Sequence, residues 1–352
     1  MKSLRIELLI VIAFQLLLSI TLQGHAKTIV AGDSSGTFTT SLSGSAQYQI
    51  PLPTPPGVNA HEPRLTFQYS SGSGDSQLGV GWRLSGLSSI SRCSQTPAVD
   101  GVKGTIQYDN NDRYCVDGQR LIVVQGRYGE PASQYRTELE TWRLFTASQD
   151  QCGSGPCSFN VSMRDGSTVR YGATDDSRVL ARTASGEPRD VVRVWALTDT
   201  VDTQGNRLSF EYSLQPNGIG QSAFGQHYPT AIHYGGHQNN TGVIDQEHNR
   251  HIRFTWEERD DIHIAWVGAG AVVTAARLKN LTTSVDYEGD ELIAHQYRIE
   301  YEYSPTTQRS LVTQIQTCSD GSEEATCLPA DQFQWQGNDS IEFTPQDVAP
   351  TD

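Results

Sequence analysis

The stretch Ser70 to Trp82, "SSGSGDSQLGVGW", decides between two kinds of protein. Glycines at this density suit a loop that cradles phosphate, and equally the punctuation between two strands. A dinucleotide fingerprint sets Gly-x-Gly-x-x-Gly between a strand and a helix. Gly72 and Gly74 have the first spacing, but the third position is Gln77; Gly79 and Gly81 repeat it, and there the third position is Leu84. No Lys-Ser/Thr pair follows, and "WRLSGLSSISR" reads as strand. The expected reading is structural. Gly72 and Gly74 permit positive φ in a loop, while Gly79 and Gly81 flank Val80 where Trp82 lies close to another backbone. "RLTFQYS" and "GVGWRLSGLSSISR" are then two strands with a flexible tip.

Outward from that point the period is two. Leu65, Phe67 and Tyr69 alternate with polar neighbours, as do Phe159, Val161 and Met163, which precede a turn at Asp165-Gly166. Leu208, Phe210 and Tyr212 repeat the pattern; so do Ile252, Phe254 and Trp256, and again Tyr297, Ile299, Tyr301 and Tyr303. Each run places aromatic and branched residues on one side of a sheet. Only "GAGAVVTAARLKNL" has room for two or three helical turns, and its Val-Val-Thr centre fits a strand as well. The predicted fold is all-β, a large antiparallel module built of hairpins. "IPLPTPPG" (Ile50 to Gly57) is expected to be an extended connector outside any central ladder.

Residues 1–26 read as a secretory signal: Lys2 and Arg5, an apolar run from Leu8 to Leu22, then Gly24-His25-Ala26. That run is shorter than the about 20 apolar residues a bilayer requires. No second run approaches that length, so no membrane span is expected in the mature chain. The formal net charge is −14, and removing Lys2, Arg5 and Glu7 makes it one unit more negative. Such a surface repels nucleic acid. The expected location is secreted, with the periplasm crossed in transit.

The six cysteines fall into three sequence-local pairs in a chain bound for an oxidising compartment: Cys93 with Cys115, Cys152 with Cys157, Cys318 with Cys327. Six cysteines allow 15 connectivities. No pair has the two-residue spacing of a zinc knuckle.

Candidate chemistry is thin. "GDSSG" (Gly32 to Gly36) has the look of a serine-protease nucleophile loop, but a histidine and an aspartate should precede it and there is no room for them. His227, His233, His237, His248, His251 and His263 lie close in sequence, and on a strand His233 and His237 would share a face. Gly235-Gly236 interrupts them, so exposed hairpin positions are the expected account, with a metal-dependent hydrolase as the weakest rival. Asp175-Asp176, Glu257-Glu258 and Asp260-Asp261 are adjacent, so on a strand each pair diverges. No catalytic, cofactor-binding or metal-binding residue is assigned.

The N-terminal third carries a resemblance. Gly44-Ser45-Ala46 with Tyr48 and Ile50-Pro51, then Pro55-Pro56-Gly57, Tyr69-Ser-Ser-Gly72-Ser-Gly74, Leu78-Gly79-x-Gly81-Trp82 and Leu84 to Ile90 occur in order. This series resembles the Salmonella virulence plasmid B protein (SpvB) family, whose module also opens the B component of insecticidal toxin complexes and secreted Rhs-type proteins. "WALTDTVDTQGNRLSFEYS" is similar to the YD-repeat strand pairs of such proteins, and "CLPADQFQWQ" resembles the pattern that closes the module. The likeness runs over residues 32–336, its start overlapped by an N-terminal extended, Pro-rich entry segment (27–57), and leaves 337–352 as a linker or truncation point.

The resemblance implies a non-catalytic part of a shell-like assembly that encloses and delivers a toxic segment. Its partners would be downstream Rhs, propeller or toxin-shell parts and an effector, in relatives that reach the host cytoplasm. An isolated module of this kind is expected to self-associate or to be stabilised by the downstream portion. The alternative is a secreted surface protein that binds host glycans or proteins through exposed aromatic loops, with Trp82 and Trp266 as the contacts.

Overall fold

The computed structural model describes residues 36–219 and 224–336. The signal segment, Gly32 to Ser35 of "GDSSG" and residues 337–352 lie outside the described residues. The first strands are β1 (Thr37–Thr40), β2 (Ala46–Leu52), β3 (Leu65–Ser70), the two-residue β4 (Asp75–Ser76) and β5 (Gly79–Val80), and β6 (Trp82–Ser85). They form a four-stranded sheet in the order β1-β2-β3-β6, with β4-β5 as a small separate hairpin. Pro51 does join this ladder, paired with Thr66, contrary to the expected connector. The reason is local: β1 covers β2 only from Ala46 to Gln49, so on that side Pro51 has no ladder neighbour to miss its N–H.

After Gly86 the chain changes sheet. The strands β7 (Ser89–Cys93), β8 (Arg113–Val116), β9 (Gln119–Gln125), β10 (Gln134–Thr137), β11 (Leu144–Ala147), β12 (Phe159–Ser162) and β13 (Thr168–Tyr171) follow. A single helical turn, α1 (Pro97–Asp100), lies between β7 and β8; the sequence reading missed it because one turn leaves no period. Next come β14 (Arg178–Arg182) and β15 (Pro188–Val201). The antiparallel pairings β7-β8-β9-β10-β11-β12-β13-β15-β7 close on themselves as a barrel.

This ring is filled rather than hollow. Tyr114, Tyr135, Phe145, Phe159 and Trp195 are buried inside it. Tyr114 meets Tyr135, Phe159 and Trp195 edge to face at centroid distances of 5.9, 5.5 and 5.2 Å. Arg92 threads among them, giving hydrogen bonds to the Val192 and Ser154 carbonyls at 2.7 and 2.6 Å and pairing with Asp112 at 3.1 Å. A buried guanidinium persists only with its donors satisfied in this way.

The remaining strands are β16 (Asn206–Ser213), β17 (Tyr228–Gln238), β18 (Ile244–Gln246), β19 (Arg250–Val267), β20 (Gly270–Tyr287), β21 (Asp290–Tyr303), β22 (Ser310–Cys318) and β23 (Asp331–Gln332). The ambiguous "GAGAVVTAARLKNL" therefore belongs to a long strand. A second sheet extends from the end of β15 through β16-β17-β19-β20-β21-β22-β23. Leu208, Phe210 and Tyr212 of β16, Ile252, Phe254 and Trp256 of β19 and Tyr297, Ile299 and Tyr301 of β21 turn to one core, which Ile50, Leu52, Leu65 and Phe67 of the N-terminal sheet join. Phe67 meets Tyr297 edge to face, and the hydroxyls of Tyr297 and Tyr234 donate to the Pro53 and Pro55 carbonyls at 3.0 and 2.8 Å. The proline segment is thus a strap across the long sheet. Its carbonyls accept because proline keeps its acceptor while losing its donor.

Candidate functional site

The signature residues converge on one junction, where the loop between β3 and β6 docks on the long sheet. Asp75 at the loop tip accepts from Arg259 at 2.8 Å and from Arg309 at 3.0 Å. Arg259 also donates to the Ser76 carbonyl at 2.6 Å and pairs with Asp261 at 2.6 Å. Asp261 in turn accepts from the Ser310 amide and hydroxyl. Burial alone would raise the Asp261 carboxyl, but the hydrogen bonds from Arg259 and Ser310 outweigh it and hold it at about 2. Gln77 clamps the other flank: its side chain donates to the His227 carbonyl and its own carbonyl accepts from the Leu278 amide. The expected flexible tip is a docked one.

The glycines divide in two. Gly79 and Gly81 both have φ of +78°, and a Cβ would lie 2.3 Å from the Ser310 carbonyl oxygen or 2.5 Å from the Tyr69 ring. Only glycine fits either position. Gly72 and Gly74, expected at positive φ, are absent from the left-handed region. Gly72 instead packs against Ser45, and Gly74 has open space around it. Gly57 approaches the His61 carbonyl and gives its amide to Glu62 at 2.6 Å, while Pro55 is buried and Pro56 exposed. The loop amides of Gly81 and Leu78 are taken by the Gly74 carbonyl and the Ser76 hydroxyl, so they form no phosphate cradle.

Trp82 is 2 % exposed and so stands on no exposed loop, unlike Trp266, which is 63 % exposed. Around Trp82 stand Tyr48, Tyr69 and Phe333 at centroid distances of 6.4, 5.5 and 4.8 Å, with Trp335 against Tyr69 at 5.7 Å.

The histidines are placed differently from the expectation. An extra residue at Gly235, between the pairs Gly236–Arg207 and Tyr234–Leu208, shifts the parity of β17 and separates His237 from His233. His237 is held by Asp245 and the Gln204 carbonyl. His233 meets His251 across the ladder, Nδ1 to Nδ1 at 2.7 Å, while their Nε2 atoms face Glu211 at 3.3 Å and Asp286 at 3.0 Å. His248 bonds Ser209 at 3.1 Å. His233 and His248 are half-buried and His251 is buried, not exposed, because these mutual contacts cover them.

His227 is half-buried, with Nδ1 itself buried and unpartnered; burial first, then the Arg193 charge, pushes it down to about 4. Among the described residues no group of three or more His, Cys, Asp or Glu is arranged to hold a metal. The adjacent carboxylates also diverge: Asp176 accepts from the Tyr212 amide, Asp175 pairs with Arg178, and Glu257 pairs with Arg277.

The six cysteines form Cys93–Cys115, Cys152–Cys157 and Cys318–Cys327. The first ties β7 to β8, the second closes a loop beside the ring, and the third joins the end of β22 to the segment before β23. Among the described residues no helix is long and apolar enough to cross a membrane.

A filled antiparallel ring continued into a long sheet, and strapped by an N-terminal sheet, defines an all-β module of the toxin-complex type. The crystal structure of TcdB2-TccC3 contains this fold at TM-score 0.68 and 16 % identity, over 86 % of this chain and 17 % of that one. The Photorhabdus luminescens Tc holotoxin pore matches at TM-score 0.68 and 17 % identity, over 86 % of this chain and 16 % of that one. The present chain thus spans about a sixth of their length. The N-terminal domain of effector protein SpvB from Salmonella typhimurium matches at TM-score 0.59 and 16 % identity, over 77 % of this chain and 99 % of that one. No curated protein matches the sequence. The family model of the Salmonella virulence plasmid 65kDa B protein matches residues 40–260, and the chain belongs to that family.

Proposed function

We propose that the chain is a non-catalytic scaffold module of a virulence or toxin-complex protein, secreted by way of its N-terminal signal. In this reading its sheets form part of a β-shell that encloses and delivers a toxic segment carried elsewhere. One observation carries the reading: the fold that makes up 86 % of this chain is only 17 % of the TcdB2-TccC3 chain, a part within a much larger toxin structure. The chemistry of the junction supports it. The charged groups of the signature loop are consumed in docking it, and the glycines that cannot be replaced serve close packing.

The test is reconstitution. The full chain is co-expressed with the toxin-shell portion and effector segment of a family member whose own SpvB-like module has been deleted. Co-purification and protease resistance of the effector are expected. A folded chain that stays apart from the shell, with the effector digested, contradicts the proposal.

A second reading rests on a separate observation. Ile262, Ile264 and Trp266 are all exposed on one face of β19, as a surface that contacts host molecules would be. A reproducible glycan-array hit that is lost in Trp266→Ala supports it; an array without one rejects it.

A further inference from the structure

Beside Trp82 opens a cavity of about 450 Å³, lined by Phe38, Tyr48, Tyr69, Trp82 and the segment Asp331 to Trp335. Its construction is that of a cup. Trp82 is the floor, in contact with Tyr48, Tyr69 and Phe333. Tyr48 with Phe333 makes one wall, their planes 67° apart, and Tyr69 with Trp335 makes the other, 74° apart. Phe38 is the lip, 65 % exposed. The Trp335 indole donates to the Val312 carbonyl at 2.8 Å, which fixes that wall to β22. The Trp82 indole Nε1 is buried with no hydrogen-bond partner. Ring packing, rather than a polar contact, therefore sets its orientation. The volume and the aromatic lining with a few polar groups are those of a small-molecule site.

The lining chooses among ligands. Among the described lining residues Asp331, which accepts from the Tyr48 hydroxyl at 3.4 Å, is the one charged group and none is lysine or arginine, so carboxylates and phosphates are disfavoured. The chain as a whole carries a formal charge of −14. A sugar stacks on one flat ring face, whereas here steeply inclined rings converge on one space from several directions. Inclined rings lining one space, with a carboxylate among them, suit a compact organic cation, because an aromatic face presents the negative part of its quadrupole. From this geometry we infer that the cup binds an alkylammonium group, such as a quaternary or methylated amine. The ring faces hold the methyl groups and Asp331 supplies the countercharge. This site is independent of the scaffold reading above.

Calorimetric titration of the full chain with choline, with its neutral isostere 3,3-dimethyl-1-butanol and with glucose tests the inference. Saturable choline binding is expected, with the isostere at least about tenfold weaker and glucose without effect. Asp331→Asn is expected to weaken choline about tenfold. Phe38→Ser, at an exposed lip where it leaves the fold intact, should also weaken it. Phosphatidylcholine vesicles identify the source: co-sedimentation assigns the cation to a lipid headgroup, and its absence alongside choline binding assigns it to a soluble amine. Equal affinity for the isostere, glucose binding without choline binding, or no saturable choline binding overturns the inference.

Discussion

The barrel ring and the long sheet beside it are made of the same alternating strands, yet they complete themselves by different means. The ring closes its own hydrogen-bond ladder and fills its interior with Tyr114, Tyr135, Phe159 and Trp195, with Cys93–Cys115 joining two neighbouring strands. The long sheet leaves one apolar face that its own strands cannot cover. It borrows the N-terminal sheet, the proline strap and the docked loop, held through Arg259 and Asp75. The difference shows why a glycine-rich signature stands at the start of the module: it is the clasp of the half that cannot close itself.

That contrast can be broken at its clasp. Arg259→Met leaves Asp75 and Asp261 buried without their common partner, and losing one member of a buried ion pair costs about 3–5 kcal/mol. Denaturant unfolding should show this loss, with amide exchange accelerated first in the loop and the N-terminal sheet while the ring stays protected. Equal acceleration in the ring would show that the two halves are one cooperative unit.

Acid should act on the same half. His227 lies under the docked loop, with its folded pKa near 4 against an unfolded value near 6.5. Below 6.5 the unfolded chain binds a proton that the folded chain refuses. Stability is therefore full above pH 6.5 and falls as the pH drops toward 4, by up to about 3 kcal/mol. Asp261 and Glu291, both held at about 2, extend the loss further into acid. Melting temperature against pH checks this, and His227→Leu should flatten the slope between pH 6.5 and 4.

Removing Cys93–Cys115 by a double serine substitution acts on the other half. Its sequence separation of 22 implies a cost of about 2–3 kcal/mol, detectable as faster exchange in β7 and β8 and little change at the clasp. The smallest effect separates two glycines of the signature. Gly79→Ala, at positive φ against the Ser310 carbonyl, should cost about 1–2 kcal/mol; Gly74→Ala, in open space, should stay within about 0.5 kcal/mol. Paired thermal melts measure both.

Much of this was legible before the structure. Period two marked the faces of β3, β12, β16, β19 and β21, because burial on one side of a sheet imposes it directly. The ordered motifs of residues 44–90 pointed to the family. What escaped was set by contacts distant in sequence. Nothing local to Gly72 or Gly79 says which lies against Ser310. The docking of Asp75 needs Arg259, which is remote in the chain. One extra residue at Gly235 was enough to part His233 from His237 and bring His233 to His251. The aromatic cup draws residues from both ends of the module; Tyr48, Tyr69, Trp82 and the closing "CLPADQFQWQ" each stood out in the sequence, but nothing local showed that they meet.

The central claim is that residues 70–82 are a docked structural clasp and not a ligand-gripping loop. Hydrogen exchange of that segment, with and without added nucleotide, tests it most directly. Slow exchange comparable to β19 and β22, unchanged by nucleotide, is the predicted result. Fast exchange that becomes slow only when nucleotide is added would contradict it.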